Sequence, residues 1–302
     1  MTRKMVPGDI YYSDKNQRKI AEEYRIFLND KSILADIAFK LENIVGNCKH
    51  GDDLYKFIYY GLSRRLNLLE RCVVNVFEKN PFDNGKVPSE DTRTDVVLYI
   101  HCFYIHLYGA LENLARIYAI KTQYKSENIF DLSFFYKKKK KVCLIDTLPT
   151  DVKSKFIGDT NWLKYVKETR DALVHQEPGY LPPYFVNIDN ESEWRRLETL
   201  KRSEQLEYTK RFAELNKRPR GFFPDSYELM ERLSKQRELE KKHDEKITLL
   251  NNQQEKYQMF VPTFVLDTGY KKPSILYHPQ LLIDMKTLYE KINLILDCLI
   301  TK

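Results

Sequence analysis

The sequence predicts an all-α protein: a helical bundle that carries a charged helical hairpin and a small β element. Three observations support that expectation. Glycine and proline are scarce, 10 and 12 residues in 302, which favours long helices over many short strands. Apolar residues recur at three- and four-residue spacing along several segments, the period of an amphipathic helix. Tyrosine and phenylalanine are plentiful, 21 and 16 residues in a chain that is 42% apolar, whereas disordered chains are poor in aromatics.

Taken in order, Asp14 to about Asn47 reads as helix, broken near Asn29–Ser32. From Asp52 to Phe77 one apolar stripe passes through Leu54, Ile58, Leu62, Leu66, Leu69 and Val73, and Asp52 or Asp53 serves as its cap. Asn80 to Pro88 is a loop by its turn residues. Ser89 or Asp91 starts a helix that runs to about Thr122. It is apolar on most of its circumference and so belongs at the centre of the bundle. Ile129 to Ile145 shows no clear period, and the lysine run within it, Lys137 to Lys141, reads as a solvated loop or helix end. Asn161 to Val174 is helical, stopped by Pro178-Gly179. Pro182 and Pro183 make Tyr180–Asn187 extended. Glu191 to about Lys217 and Asp225 to about Tyr257 are highly charged helices joined by a turn at Arg218–Pro224. Their apolar residues, among them Leu197, Leu200, Leu206, Leu233 and Leu250, are sparse. An antiparallel hairpin with a narrow seam, projecting from the body, is expected. Phe260–Leu266 and Ser274–Tyr277 read as short strands, and Pro279 opens a last amphipathic helix, Gln280–Ile300. The expected organisation is N-terminal helices 1–85 packed on the bundle, a core from 89–187 and 260–302, and the hairpin 191–257 as an insertion.

The formal net charge of +7 permits an acidic partner such as RNA without demanding one. Five widely spaced cysteines, odd in number and without a CxxC pair, fit buried thiols in a reducing compartment better than disulfides or zinc. Met1–Ile10 lacks the apolar run of a signal peptide. No stretch approaches the ~18 uninterrupted apolar residues of a membrane helix. A cytoplasmic protein with no membrane role is therefore expected. There is no Walker loop, GxGxxG, HExxH or Ser–His–Asp arrangement.

The strongest chemical signal is Arg170-Asp171-Ala172-Leu173-Val174-His175. Metal-free RNA cleavage needs a group to take the 2′-hydroxyl proton, a group to protonate the leaving oxygen, and a cation on the phosphate. Histidine suits the proton transfers and arginine, always charged and forked, suits the phosphate. Asp171 and His175 share a helix face at four-residue spacing, so the carboxylate can orient the imidazole. Arg170 and His175 lie about 140° apart on an ideal helix. Both reach one phosphate only if the last turn is distorted or two chains share the site. On spacing alone, the segment reads more readily as an ion pair plus a capping histidine on a helix surface.

An arginine, a polar residue and a histidine a few residues on resemble the ribonuclease motif of HEPN domains. One bacterial HEPN subfamily is also similar around His101–Arg116, in the proline-rich Tyr180–Val186, and at Leu276–Asp284. The resemblance covers about residues 91–187 and 260–300. The first 85 residues and the charged hairpin carry no matching motif. The resemblance implies an up-and-down bundle, a homodimer in which both motifs line one cleft, and metal-independent endoribonuclease activity without a cofactor. It implies a toxin or antiphage defence effector, with an RNA substrate and an antitoxin or regulatory partner. Some relatives carry a tyrosine two residues after the histidine, where the antitoxin modifies them; that position here is Glu177. Other members are non-catalytic dimerisation or binding modules for RNA or protein, so the fold does not fix the reaction.

Glu112 and Asn113 are polar within an apolar helix. They are either an Arg116–Glu112 pair with a surface asparagine, or groups that face Arg170 across the bundle and fix its direction. An acidic residue at this place is common in the resembling subfamily. Lys137, Lys138, Lys139, Lys140 and Lys141 are either a solvated run or an RNA-backbone track, with Phe134, Phe135 and Tyr136 beside them for stacking. His101 and His106, five apart, are wrong for two metal ligands on one helix face and read as core or rim residues. His278, before Pro279, is given a turn or capping role.

Overall fold

A computed structural model describes residues 12–46, 48–84, 87–125, 132–135, 143–158, 160–175, 178–186, 188–217, 226–266 and 275–301. The chain divides into two compact units. Tyr184–Val261 forms one; Tyr12–Asn84, Pro88–Pro183 and Pro262–Lys302 form the other. The larger unit is an all-α helical bundle.

Helix α1 (Asp14–Asn29) is capped by the Ser13 hydroxyl, which accepts the Asn16 amide at 3.4 Å. The expected break falls where the Asp30 carboxylate accepts the Ser32 amide at 3.0 Å and so fixes the entry of α2 (Ser32–Val45). The segment read as one α-helix from Asp52 is a composite. It consists of α3 (Asp53–Tyr55), a π-helical stretch (Lys56–Ser63) and α4 (Arg64–Lys79). The apolar stripe is continuous across all three, so periodicity alone does not separate a π turn from an α turn.

Helix α5 (Glu90–Lys121) starts at Ser89, whose hydroxyl accepts the Thr92 amide at 3.2 Å. Val96, Ile100, Phe103, Leu107, Leu111 and Leu114 on it are fully buried, each such side chain contributing roughly 1.5–3 kcal/mol. It packs against α4, the π-helical stretch, α7 (Thr160–His175) and α10 (Tyr277–Ile300). A 3₁₀ turn (Leu144–Thr147) and α6 (Thr150–Ile157) precede α7. Helix α6, which the sequence reading passes over, is too short to show a period, yet it buries Val152 and Phe156.

Helix α7 turns Leu163, Val166, Thr169 and Ala172 inward. It is tied to α5 and α10 through the buried Asp284 carboxylate. That carboxylate accepts from the Trp162 indole at 2.8 Å, from Gln280 at 2.9 Å and from the Tyr104 hydroxyl at 3.1 Å. Tyr104 is bonded in turn to Tyr165 on α7. Beyond α7, Gly179 allows the Phe264 ring to close on the chain, since a Cβ there would lie 2.2 Å from the ring. Tyr180 bridges Val265, and β3 (Thr263–Phe264) pairs antiparallel with β4 (Ile275–Leu276). Helix α10 begins before Pro279, which sits in the first turn where its missing N–H costs nothing. The turn or capping role given to His278 is corrected. The ring is buried, accepts the Tyr12 hydroxyl at 3.2 Å, and donates to the Asn80 carbonyl at 2.7 Å.

In the smaller unit, α8 (Glu191–Asn216) and α9 (Ser226–Glu255) form an antiparallel pair, with β1 (Phe185–Val186) joined to β2 (Gln258–Met259). Asn216 meets Gln236, Gln205 meets His243, Glu204 meets Lys246 and Glu198 meets Gln254. The seam is more polar than leucine spacing suggests. Leu197 and Leu250 are buried, but Leu200 and Leu206 face solvent and Tyr208 stacks on His243 at 4.2 Å instead. The Arg218–Pro224 turn and Asp225 lie outside the described residues. Cys72, Cys143 and Cys298 are buried, Cys48 and Cys102 partly so. Among the described residues no helix is long and apolar enough to cross a membrane.

Candidate functional site

One face of α5 presents Ile105, Tyr108, Gly109, Glu112, Asn113 and Arg116 at three- and four-residue spacing. This face lines an open cleft of about 350 Å³, which Arg65 from α4 and Arg170 from α7 complete. Three guanidiniums thus meet one carboxylate.

Each arginine is held by its neighbours. The Arg170 guanidinium lies over the Tyr108 ring, 3.9 Å from its centroid, and its Nη1 is 2.9 Å from Asp171 Oδ1. Tyr108 also stacks on Phe135 at 4.5 Å. Arg116 lies 5.1 Å from the centroid of Phe57, on the π-helical stretch. Arg65 donates Nη1 to His106 Nδ1 at 3.0 Å. Burial and the Arg65 charge both lower the His106 pKa, so the ring stays neutral with its proton on Nε2. Burial lowers the Arg65 pKa as well. Burial raises the Glu112 carboxyl above its ordinary value, opposed by a hydrogen bond from the Ser133 hydroxyl and by the charges of Arg116 and Arg170.

Two helical glycines make room for these groups. A Cβ on Gly109 would lie 2.4 Å from Arg65 Cζ, and one on Gly61 would lie 2.6 Å from Asn113 Nδ2. Glycine inside a helix costs about 1 kcal/mol relative to alanine, and close approach of a polar side chain is the reason for it here. Three buried donors of the cleft, Asn113 Nδ2, Arg116 Nε and Arg170 Nε, have no hydrogen-bond partner among the described residues.

Of the residues singled out in the sequence, Arg170, Glu112 and Asn113 line the same cleft. Asp171 pairs with Arg170, and with Lys167 at 3.8 Å. His175 is exposed in the last turn of α7 and does not line the cleft. His101 donates to the Gly179 carbonyl at 3.1 Å and supports the chain after α7. Lys137, Lys138, Lys139, Lys140 and Lys141, with Tyr136 and Glu177, lie outside the described residues. The sequence reading missed Arg65, Tyr108 and the two glycines. Gly109 was the available signal, because it is the one glycine of α5 and falls on the helix face of Glu112, Asn113 and Arg116.

Fold and cleft together define a class, an all-α bundle with a surface cleft lined by three arginines and one glutamate. Comparison with family models, with curated proteins and with solved structures finds no match to this chain.

Proposed function

We propose that the protein is a metal-independent endoribonuclease of the HEPN type, acting as a homodimer. The observation that carries the reading is Arg170, pinned by Tyr108 and Asp171 within a cleft it shares with Arg65 and Arg116. A guanidinium fixed in direction before substrate arrives stabilises charge on a phosphate without reorganising. In this reading Arg170 holds the scissile phosphate and His175 moves the proton. The 2′-hydroxyl attacks, its proton is taken up, the 5′-oxygen leaves protonated, and a cyclic phosphate remains. One chain keeps His175 out of its own cleft, so a second copy is needed to bring the two groups to one phosphate. A toxin or defence role, restrained by an antitoxin or other regulatory protein, fits such an activity.

The same placement of His175 favours a second reading, a bundle that binds RNA through the cleft and cuts nothing. Incubating the purified protein with total RNA in EDTA separates the two. Cleavage is expected, and it should be lost in both Arg170→Ala and His175→Ala. Intact RNA that nonetheless binds supports the second reading. Full activity in His175→Ala would remove the site assignment.

A further inference from the structure

We propose that Arg65, Asn113 and Arg116 form a second phosphate site beside Arg170, which holds a phosphate of the RNA strand other than the one that is cut. The inference rests on the RNA reading of the cleft, but its observations are separate from the Arg170–His175 motif.

Two of the three unpaired buried donors in the cleft, on Asn113 and Arg116, belong to this group. A buried donor without an acceptor is costly, and the residues that carry these two line the same cleft as Arg170, which carries a third. The single carboxylate of the cleft, Glu112, already accepts from Ser133. With Arg65, Arg116 and Arg170 against that one carboxylate, the cleft carries an excess of positive charge. Arg116 rests on the Phe57 ring and Arg65 is fixed by His106. Their planes are therefore set, and a phosphate with two non-bridging oxygens is what a fixed guanidinium edge recognises.

The backbone is shaped around the same group. Gly61 and Gly109 give up a side chain where Asn113 and Arg65 lie. Gly61 and Phe57 both belong to the π-helical stretch Lys56–Ser63, and π turns are concentrated at functional sites. Arg65 follows directly in α4. The N-terminal helices thus contribute a wall of the site.

The test uses the full chain carrying His175→Ala, so that RNA stays uncut, and a short fluorescein-labelled single-stranded RNA. Anisotropy titrations at several salt concentrations give the affinity and the slope of log affinity against log salt. Arg65→Gln and Arg116→Gln should each weaken binding about tenfold and reduce the slope by roughly 0.7, the loss of one phosphate contact on a single strand. Arg237→Gln on α9 should change neither. Gly109→Ala serves as a variant that keeps the fold, because alanine favours helix and only the flexible end of Arg65 must move. It should leave the circular dichroism intact and weaken RNA binding. If Arg116→Gln does not fold, Arg65→Gln and Gly109→Ala decide the matter. Unchanged affinity and slope in those two would overturn the site. Pyrophosphate should displace the RNA from the parent chain and do so less well from Arg65→Gln. Pyrophosphate binding that needs Arg65, with RNA binding that ignores it, would mean a small phosphorylated ligand and would also overturn the proposal. RNA bound in the expected manner yet left uncut by the chain with His175 intact supports the site and removes only the ribonuclease reading.

Discussion

Asp284 sits under the motif helix with three donors around it and no solvent. Burial raises its carboxyl from 3.8 to about 6, against the hydrogen bonds from Trp162, Gln280 and Tyr104 that lower it. The unfolded chain keeps the lower value, so the native state holds the extra proton between the two. Stability therefore falls as the pH rises through that window. His278 acts in the opposite sense. Burial lowers its pKa from 6.5 to about 4, so its contribution is complete above the unfolded value and is lost as the pH falls toward the folded one. The two overlap, and the Asp284 share is isolated by difference. Compared with Asp284→Asn, which does not titrate, the parent protein should lose roughly 2 kcal/mol of relative stability between about pH 4 and pH 6.5. Urea titrations at both pH values check this, and parallel pH dependences would contradict the buried placement. Residues of this kind are hard to see in sequence. Arg170 stood out by its spacing from Asp171 and His175, and Glu112 and Asn113 because charge or amide is rare on an apolar helix. Asp284 and Arg65 look like any surface residue of an amphipathic segment, and Trp162, Tyr104 and His106, the groups of other helices that hold them, lie more than forty residues away.

At the scale of elements, long helices were legible because each carries several turns of one period. The break expected near Asn29–Ser32 and the start expected at Ser89 or Asp91 fall at Asp30 and Ser89, and the short strands expected in Phe260–Leu266 and Ser274–Tyr277 are β3 and β4, whose pairing the sequence does not announce. Helix α6 and strand β2, eight and two residues, are too short to show a period, and the π turn leaves the apolar stripe unbroken. The α8–α9 pair was legible as a hairpin but not in its seam. Sparse leucines suggested an apolar contact where Tyr208–His243 stacking and the Glu204–Lys246 pair do much of the joining. A contact of that kind buries too little to form a core of its own. Replacing residues 191–257 by a short Gly/Ser linker should therefore leave the bundle folded, with β1 and β2 still able to pair. Trp162 then remains as the only tryptophan, since the chain has two and Trp194 is removed. Its fluorescence should be that of the half-buried, hydrogen-bonded indole seen in the parent. A shift to the emission of exposed tryptophan, with loss of helical circular dichroism, would show that the hairpin is required for the bundle.

At the scale of the whole molecule, the proposal turns on Arg170 and His175 acting together although one chain holds them apart. If each site takes Arg170 from one protomer and His175 from its partner, the two single variants are complementary. A dimer of an Arg170→Ala chain with a His175→Ala chain contains one complete site and one that lacks both groups. The most direct measurement is RNA cleavage in EDTA by the two purified variants, alone and after being unfolded and refolded together. Neither variant alone should cut, and the equimolar mixture should recover up to about a quarter of the parent rate, since half of the dimers are mixed and each has one of two sites intact. A mixture as inactive as its components, beside an active parent protein, would contradict the shared site, and a parent protein that leaves RNA intact would contradict the ribonuclease itself.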